Sequence, residues 1–194
     1  MLKVEAPGGA KEILLHACCA PCSGAVLECL RDSGIRPVVF FSNSNIAPRE
    51  EYDHRLAELR RYAGLMGVEL VEDAYDHAAW LEAVRGLEDE PERGERCAAC
   101  FRFRLSRAAR YAAARGLPVF ATTLASSRWK DLDQVNAAGA EAAAVSTLQA
   151  TAVAFWAQNW RKGGLQERRN EVIREQGFYN QTWCGCEFSK NQNL

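Results

Sequence analysis

Apolar residues come in short runs, separated by longer stretches in which they recur every third or fourth position. Ile13-Leu14-Leu15, closing at His16, reads as a buried strand, and Ser23 to Leu30 has the small-and-apolar pattern of a helix stopped at Ser33-Gly34. The β-branched and aromatic run Pro37 to Phe41 predicts a second strand. The polar turn SNSN and Pro48 then lead into a helix from about Arg49 to Leu65, with Leu56, Leu59, Tyr62 and Ala63 as its apolar stripe. A third strand is expected at Val68 to Val71 and a short helix from His77 to Val84. The charged, Gly- and Pro-containing run GLEDEPERGER reads as a surface loop delivering Cys97, followed by a helix from Cys100 to Arg115. Pro118 to Leu124 predicts a strand, Leu132 to about Ser146 a helix, Ala152 to Trp156 a weaker strand and Leu165 to Gln176 a last helix.

Strands and helices alternating in this way imply a mostly parallel open sheet with helices on both faces, a Rossmann-like or HUP-like α/β fold. Right-handed crossovers put the C-terminal ends of the strands, and the loops leaving them, on one edge. The 194 residues are expected to form one domain, 1–194, with 177–194 an irregular cysteine-containing tail packing on the active site. The net charge of -1 excludes a basic footprint over the whole surface, so any nucleic acid would meet a local patch. No run approaches the roughly 20 apolar residues of a membrane span, and the N-terminus lacks an apolar signal core. A cytoplasmic protein is expected.

That compartment sharpens the meaning of the eight cysteines, because close-spaced thiols there are metal ligands or redox pairs before they are structural disulfides. Cys18, Cys19 and Cys22 follow the first strand, where open α/β sheets place their active sites. Adjacent Cys18 and Cys19 suit a metal cluster, although free cysteines also serve as small core residues. Cys97-x-x-Cys100 is the spacing of a zinc or iron-sulfur ligand pair, and also of a thioredoxin-like redox pair. Cys184-Gly-Cys186 can close a strained disulfide or hold one metal, and Cys29 falls on the apolar face of the first helix. His16 could ligate, transfer a proton or hydrogen-bond a turn. Asn43, Asn45, Glu51, Tyr52 and Arg55 gather after the second strand, and Thr122 and Thr123 stand where the buried fourth strand surfaces. Arg128, Lys130, Arg161, Lys162, Arg168 and Arg169, with Trp129, Trp156 and Trp160 between them, form a set able to hold phosphates and stack unpaired bases.

The segments LLHACCAPC (14–22), FFSNSNIAPREEYDHR (40–55), RCAACFRFRL (96–105), TTLASSRWKD (122–131) and WRKGGLQERRNEVIREQGFYNQTWCGCEFS (160–189) resemble, in collinear order, the cobalamin-independent epoxyqueuosine reductases called QueH. The resemblance implies reduction of the epoxide of epoxyqueuosine to queuosine at the wobble position of transfer RNA. It implies a 4Fe-4S cluster on Cys18, Cys19, Cys97 and Cys100, and a nearby iron, or zinc in the purified protein, with Cys22 as an auxiliary ligand. Cys184, Cys186 and His16 are then the expected catalytic groups. Asn43, Asn45, Tyr52, Arg55, Thr122, Thr123, Lys130 and Lys162 are the expected substrate contacts. Ser127-Arg128 and Tyr179-Asn180-Gln181 depart from the family pattern, which has Ser-Pro and Tyr-Arg-Gln there. No GxGxxG follows the first strand, so electrons are expected from a ferredoxin- or flavodoxin-like donor. The competing expectation is a zinc-bearing RNA-binding module without redox activity.

Overall fold

The computed structural model describes residues 2–148 and 152–189. The elements run β1 (Glu12–His16), α1 (Ala20–Asp32), β2 (Arg36–Phe41), α2 (Arg49–Met66), β3 (Leu70–Glu72), α3 (His77–Ala83), α4 (Glu95–Ala114), β4 (Val119–Thr122), α5 (Leu132–Leu148), β5 (Ala154–Phe155) and α6 (Leu165–Gln176). Short 3-10 turns occupy Pro7–Gly9, Thr123–Ser126 and Glu187–Ser189.

All five strands are parallel, in the order β3-β2-β1-β4-β5. β1 lies at the centre with Ile13, Leu14 and Leu15 fully buried, which is why it reads as an unbroken apolar run rather than an alternation. From β1 the chain moves outward through β2 and β3, then crosses back to β4 on the other side of β1 and outward again to β5. Right-handed crossovers in opposite directions place α1 and α5 on opposite faces. α1 packs on α2 and α6, and α4 packs on α5 and beneath β1 and β4. The reversal of direction between β1 and β4 makes their C-terminal ends a topological switch point, where a crevice opens between the diverging loops.

Packing of α6 on α1 depends on a bare backbone at Gly24, where a Cβ would come within 2.7 Å of Val172. Mid-helix glycine costs about 0.5–1 kcal/mol relative to alanine, so this contact offsets an intrinsic weakness of α1. Arg168 of α6 fastens the same junction through Glu28 of α1.

Besides β3, which runs Leu70–Glu72 and not Val68 to Val71, and α1, which starts at Ala20 and not Ser23, three boundaries near the cleft differ from the sequence expectation. β4 ends at Thr122, because its side chain accepts the Leu124 N–H and turns the chain into a 3-10 turn. β5 is two residues long, held at the sheet edge by Ala154 N–H to Pro118 and Trp156 N–H to Phe120. α4 starts five residues before Cys100, so Cys97 stands in its first turn and not in the preceding loop.

Candidate metal and substrate cleft

Cys18, Cys19 and Cys22 sit where β1 hands over to α1. Their sulfurs all lie within 4.8 Å of one another, and all three residues are buried. Cys19 is the extended N-cap residue of α1, and Pro21 follows in the first turn, so the chain bends sharply and turns the thiols to one side. The Cys18 N–H donates to Thr123 Oγ1 at 3.1 Å, and the same hydroxyl lies 3.5 Å from Cys18 Sγ. Hydrogen bonds from Cys19 and Cys22 hold the Cys18 thiol well below its usual pKa, aided by Lys130 and Arg104. The neighbours move the other way, Cys19 up through its bond to Cys18 and Cys22 up to about 12 for the same reason. One thiolate shared by three sulfurs is a soft, metal-ready donor set.

Those sulfurs line a cleft of about 420 Å³, together with Asn43, Arg55, Glu92, Arg104, Lys130, Arg169 and Cys184. Cys97 and Cys100 line a smaller adjoining cavity with Cys184 and Cys186. Glu92, Arg104, Trp129, Lys130 and Cys184 border both spaces, so the five expected ligands face one continuous region. Burial pushes the Cys97 thiol up to about 11. All eight cysteines are free thiols. Cys184 Sγ meets the Cys186 N–H at 3.4 Å and Ser189 Oγ at 3.0 Å. Cys184 is held well below the usual thiol pKa, first by its hydrogen bond with Cys186 and then, against burial, by Lys130; Cys186 is pushed up as the protonated partner.

The tail reaches this region because Arg55, almost wholly buried, pairs with Glu51 at 2.6 Å and donates to the carbonyls of Cys184 (3.0 Å) and Trp183 (3.3 Å). Gly185 has φ +101, and a Cβ there would meet Ile46 at 2.8 Å, so only glycine lets the CGC segment lie this close. Arg55→Met leaves a half-buried carboxylate and two carbonyls without their donor. It is expected to cost roughly 3 kcal/mol in urea unfolding and to accelerate modification of Cys184 by thiol reagents as the tail lifts.

The other expected site residues divide. Asn43 donates to the Ala17 carbonyl at 2.9 Å, takes a bond from Arg104 and lines the cleft, whereas Asn45 lines the smaller cavity with its Oδ1 unpaired. Lys130 borders both spaces. Burial opposes its charge, but the pull of Cys184 and Cys18 outweighs that and raises its pKa. Thr122 and Thr123 lie beneath the cleft and support it. His16 is fully buried, with Nδ1 at 2.8 Å from Thr122 Oγ1 and Nε2 at 3.1 Å from the Ser42 carbonyl. Burial, reinforced by Arg104, drives His16 down to about 3, and its two bonds tie the end of β1 to β4 and to the residue after β2. Tyr52 is buried against Phe41 and Tyr75 with its hydroxyl 3.2 Å from Glu72, away from the cleft. Lys162 is exposed and lines neither space.

Sequence reasoning missed Arg104 and Glu92. Cys97, Cys100 and Arg104 fall at i, i+3 and i+7 of α4, one helix face, a signal hidden by starting that helix at Cys100. Glu92 is a carboxylic acid whose pKa burial and the Cys184 thiolate raise, placed in the wall of the cleft.

A parallel α/β sheet whose switch point carries a cluster of thiols beside a substrate-sized cleft has the architecture of an α/β enzyme with a thiol-lined active-site cleft. Residues 13–192 match the family described as Epoxyqueuosine reductase QueH. Relatives bearing that description are 44% identical in Histophilus somni over 96% of this chain and 75% of theirs, and 43% identical in Haemophilus influenzae with the same coverage. One in Thermotoga maritima is 33% identical over 91% of this chain and 89% of its own. The chain belongs to the QueH family of epoxyqueuosine reductases. No helix among the described residues is long and apolar enough to cross a membrane.

Proposed function

We propose that this chain reduces the epoxide of epoxyqueuosine, carried at the wobble position of transfer RNA, to the alkene of queuosine. The balance is one epoxide, two electrons and two protons giving one alkene and one water. Both electrons come from an external reduced carrier of the ferredoxin or flavodoxin type, with no cobalamin. The observation that carries the reading is the group of three mutually close thiols at the β1–β4 switch point, opening into a cleft bordered by Lys130.

Cys18, Cys19, Cys97 and Cys100 are assigned to a 4Fe-4S cluster and Cys22 to an adjacent iron, and soft thiolates in a buried pocket fit both. When bound, these groups supply one-electron transfer and a Lewis acid. The chain's own residues bind, orient and protonate. Lys130, kept cationic, aims its ammonium at the oxygen that leaves. Glu92, whose pKa is raised by burial and by the Cys184 thiol, stands in the cleft wall as the nearby acid. Asn43 and Arg55 set the cleft wall, while Thr123 holds the thiol loop at Cys18 and Thr122 fixes His16 at the end of β1. Cys184 and Cys186 form the redox-active pair beside the metal, Cys184 the more readily ionised of the two.

The charge states of that pair make a pH prediction. A thiol with a depressed pKa stays anionic as pH falls through the range where an ordinary cysteine protonates, so in metal-free protein at about pH 6.5 iodoacetamide modifies Cys184 ahead of Cys97 and Cys186. Lys130→Met moves the loss of Cys184 reactivity to higher pH, read by peptide mass spectrometry across a pH series.

The reaction is tested with anaerobically reconstituted protein, epoxyqueuosine-containing transfer RNA and a chemical reductant, followed by nucleoside mass spectrometry. Queuosine appearing only with iron-loaded protein supports the reading. Colourless, zinc-loaded protein that binds the RNA and leaves the epoxide intact contradicts it.

A further inference from the structure

The cations and aromatics between residues 128 and 169 look alike in sequence, but the fold disposes of most of them. Trp156 and Trp160 pack edge to face with centroids 5.3 Å apart, and Trp160 Nε1 donates to the Thr122 carbonyl. Arg168 is held by Glu28, Glu171 and Glu175. Arg161 donates to the Lys130 carbonyl at 2.7 Å, and the exposed Lys162 lines none of the cavities described. Besides Lys130 in the cleft wall, Arg128, Trp129 and Arg169 remain.

Trp129 is 60% exposed, yet its backbone is fixed. Arg93 donates to the carbonyls of Trp129 (3.1 Å) and Arg128 (3.4 Å), and the Lys130 N–H donates to Ser127. Arg93 itself sits at φ +68, the left-handed region that costs a non-glycine residue energy, and its N–H points at Cys97 Sγ at 3.3 Å. Strain is therefore stored where the metal-ligand helix meets the loop that presents an uncovered indole.

That indole borders the cleft, the smaller cavity and a third hollow of about 150 Å³. The third hollow is lined by Ser126, Ser127, Arg128, Arg169 and Asn170, with Gln166 and the carboxylate of Glu167 at its side. Arg169 lines both the hollow and the cleft, and its Nε is buried without a hydrogen-bond partner. A guanidinium N–H left unpaired in such a place is a donor waiting for an acceptor. Two guanidinium groups, two hydroxyls and an amide suit a phosphodiester, and an exposed, rigidly held indole suits a base face.

We infer that this hollow is the subsite for the nucleotide next to the modified one, with Trp129 stacking its base and Arg128 and Arg169 holding the phosphate that joins the two. The inference rests on the proposed RNA substrate and deepens it, since the enzyme would then recognise a strand and not an isolated nucleoside.

The test uses full-length, metal-loaded protein without electron donor and an anticodon stem-loop carrying epoxyqueuosine. Its partners are the same stem-loops made abasic on one side or the other of the modified residue. Trp129→Ala is expected to weaken binding of the intact stem-loop about tenfold or more, and Trp129→Phe to restore most of it. Against the abasic RNA that removes the stacked base, wild type and Trp129→Ala bind alike. In turnover the loss falls on KM, not kcat. Arg128→Gln and Arg169→Gln each lower the slope of log affinity against log salt by roughly one. Equal affinity of wild type and Trp129→Ala for the intact stem-loop overturns the inference while leaving the reductase reading standing. So does an equal loss on every abasic RNA. Wild-type protein that neither binds nor reduces the stem-loop overturns both.

Discussion

Replacing Cys18 with serine abolishes turnover and strips bound iron while leaving the chain folded. Cys18 is the thiol on which the cluster converges. It carries the thiolate, accepts from Cys19 and Cys22, and lies against Thr123 on the neighbouring strand end. Metal binding requires that deprotonated sulfur, and a serine hydroxyl does not ionise at neutral pH. Serine preserves the main-chain bond from residue 18 to Thr123 Oγ1, so secondary structure survives. Thr123→Val provides the scale. It removes only an outer partner of the ligand loop, a change expected to cost about 10–100-fold in metal affinity or rate. Iron analysis and initial rates on the two variants check the order. Cys18→Ser protein that retains full iron and full turnover would remove Cys18 from the site.

Lys130→Met lowers kcat by about 10²–10³ with iron content unchanged. Removal of one preorganised donor at a position where negative charge develops has this cost in other active sites, and Lys130 is the ammonium bordering both thiol spaces. Its raised pKa fixes the pH behaviour. The group is charged at every neutral pH, so it contributes no break to the rate profile there, and any alkaline loss due to it begins above the usual lysine range. A Lys130→Met enzyme within a few-fold of wild-type kcat would show that the leaving oxygen is met by something else.

How much of this the sequence discloses depends on the distance over which each feature is decided. The buried run Ile13 to Leu15 and the switch from period two to helical spacing are local, and the parallel α/β sheet follows from them. The thiol groups are local too. The partners of long side chains are not. Arg168 looks as available as Arg169 in sequence, yet Glu28, 140 positions away, claims the first and leaves the second at the cleft. Tyr52 and Arg55 lie three apart on α2, but Tyr52 turns into an aromatic cluster with Phe41 and Tyr75 while Arg55 turns to the tail. The burial of His16 is not legible in the sequence, because it depends on β2 and β4 closing around it. The start of α4 was masked by the charged run before it, where Gly94 supplies the helix entrance that composition alone disguised.

In the proposed reaction, thiols at the β1–β4 switch point hold the electron source for removal of an epoxide oxygen. A single-turnover experiment tests it most directly. Anaerobic, iron-loaded protein is reduced chemically, freed of excess reductant and mixed with epoxyqueuosine-containing transfer RNA. Queuosine is expected in proportion to the electrons stored on the protein, with the visible iron-sulfur absorption returning to its oxidised form at the same rate. Reduced, fully iron-loaded protein that keeps its spectrum and leaves the epoxide untouched would contradict it, as would equal turnover by zinc-loaded protein.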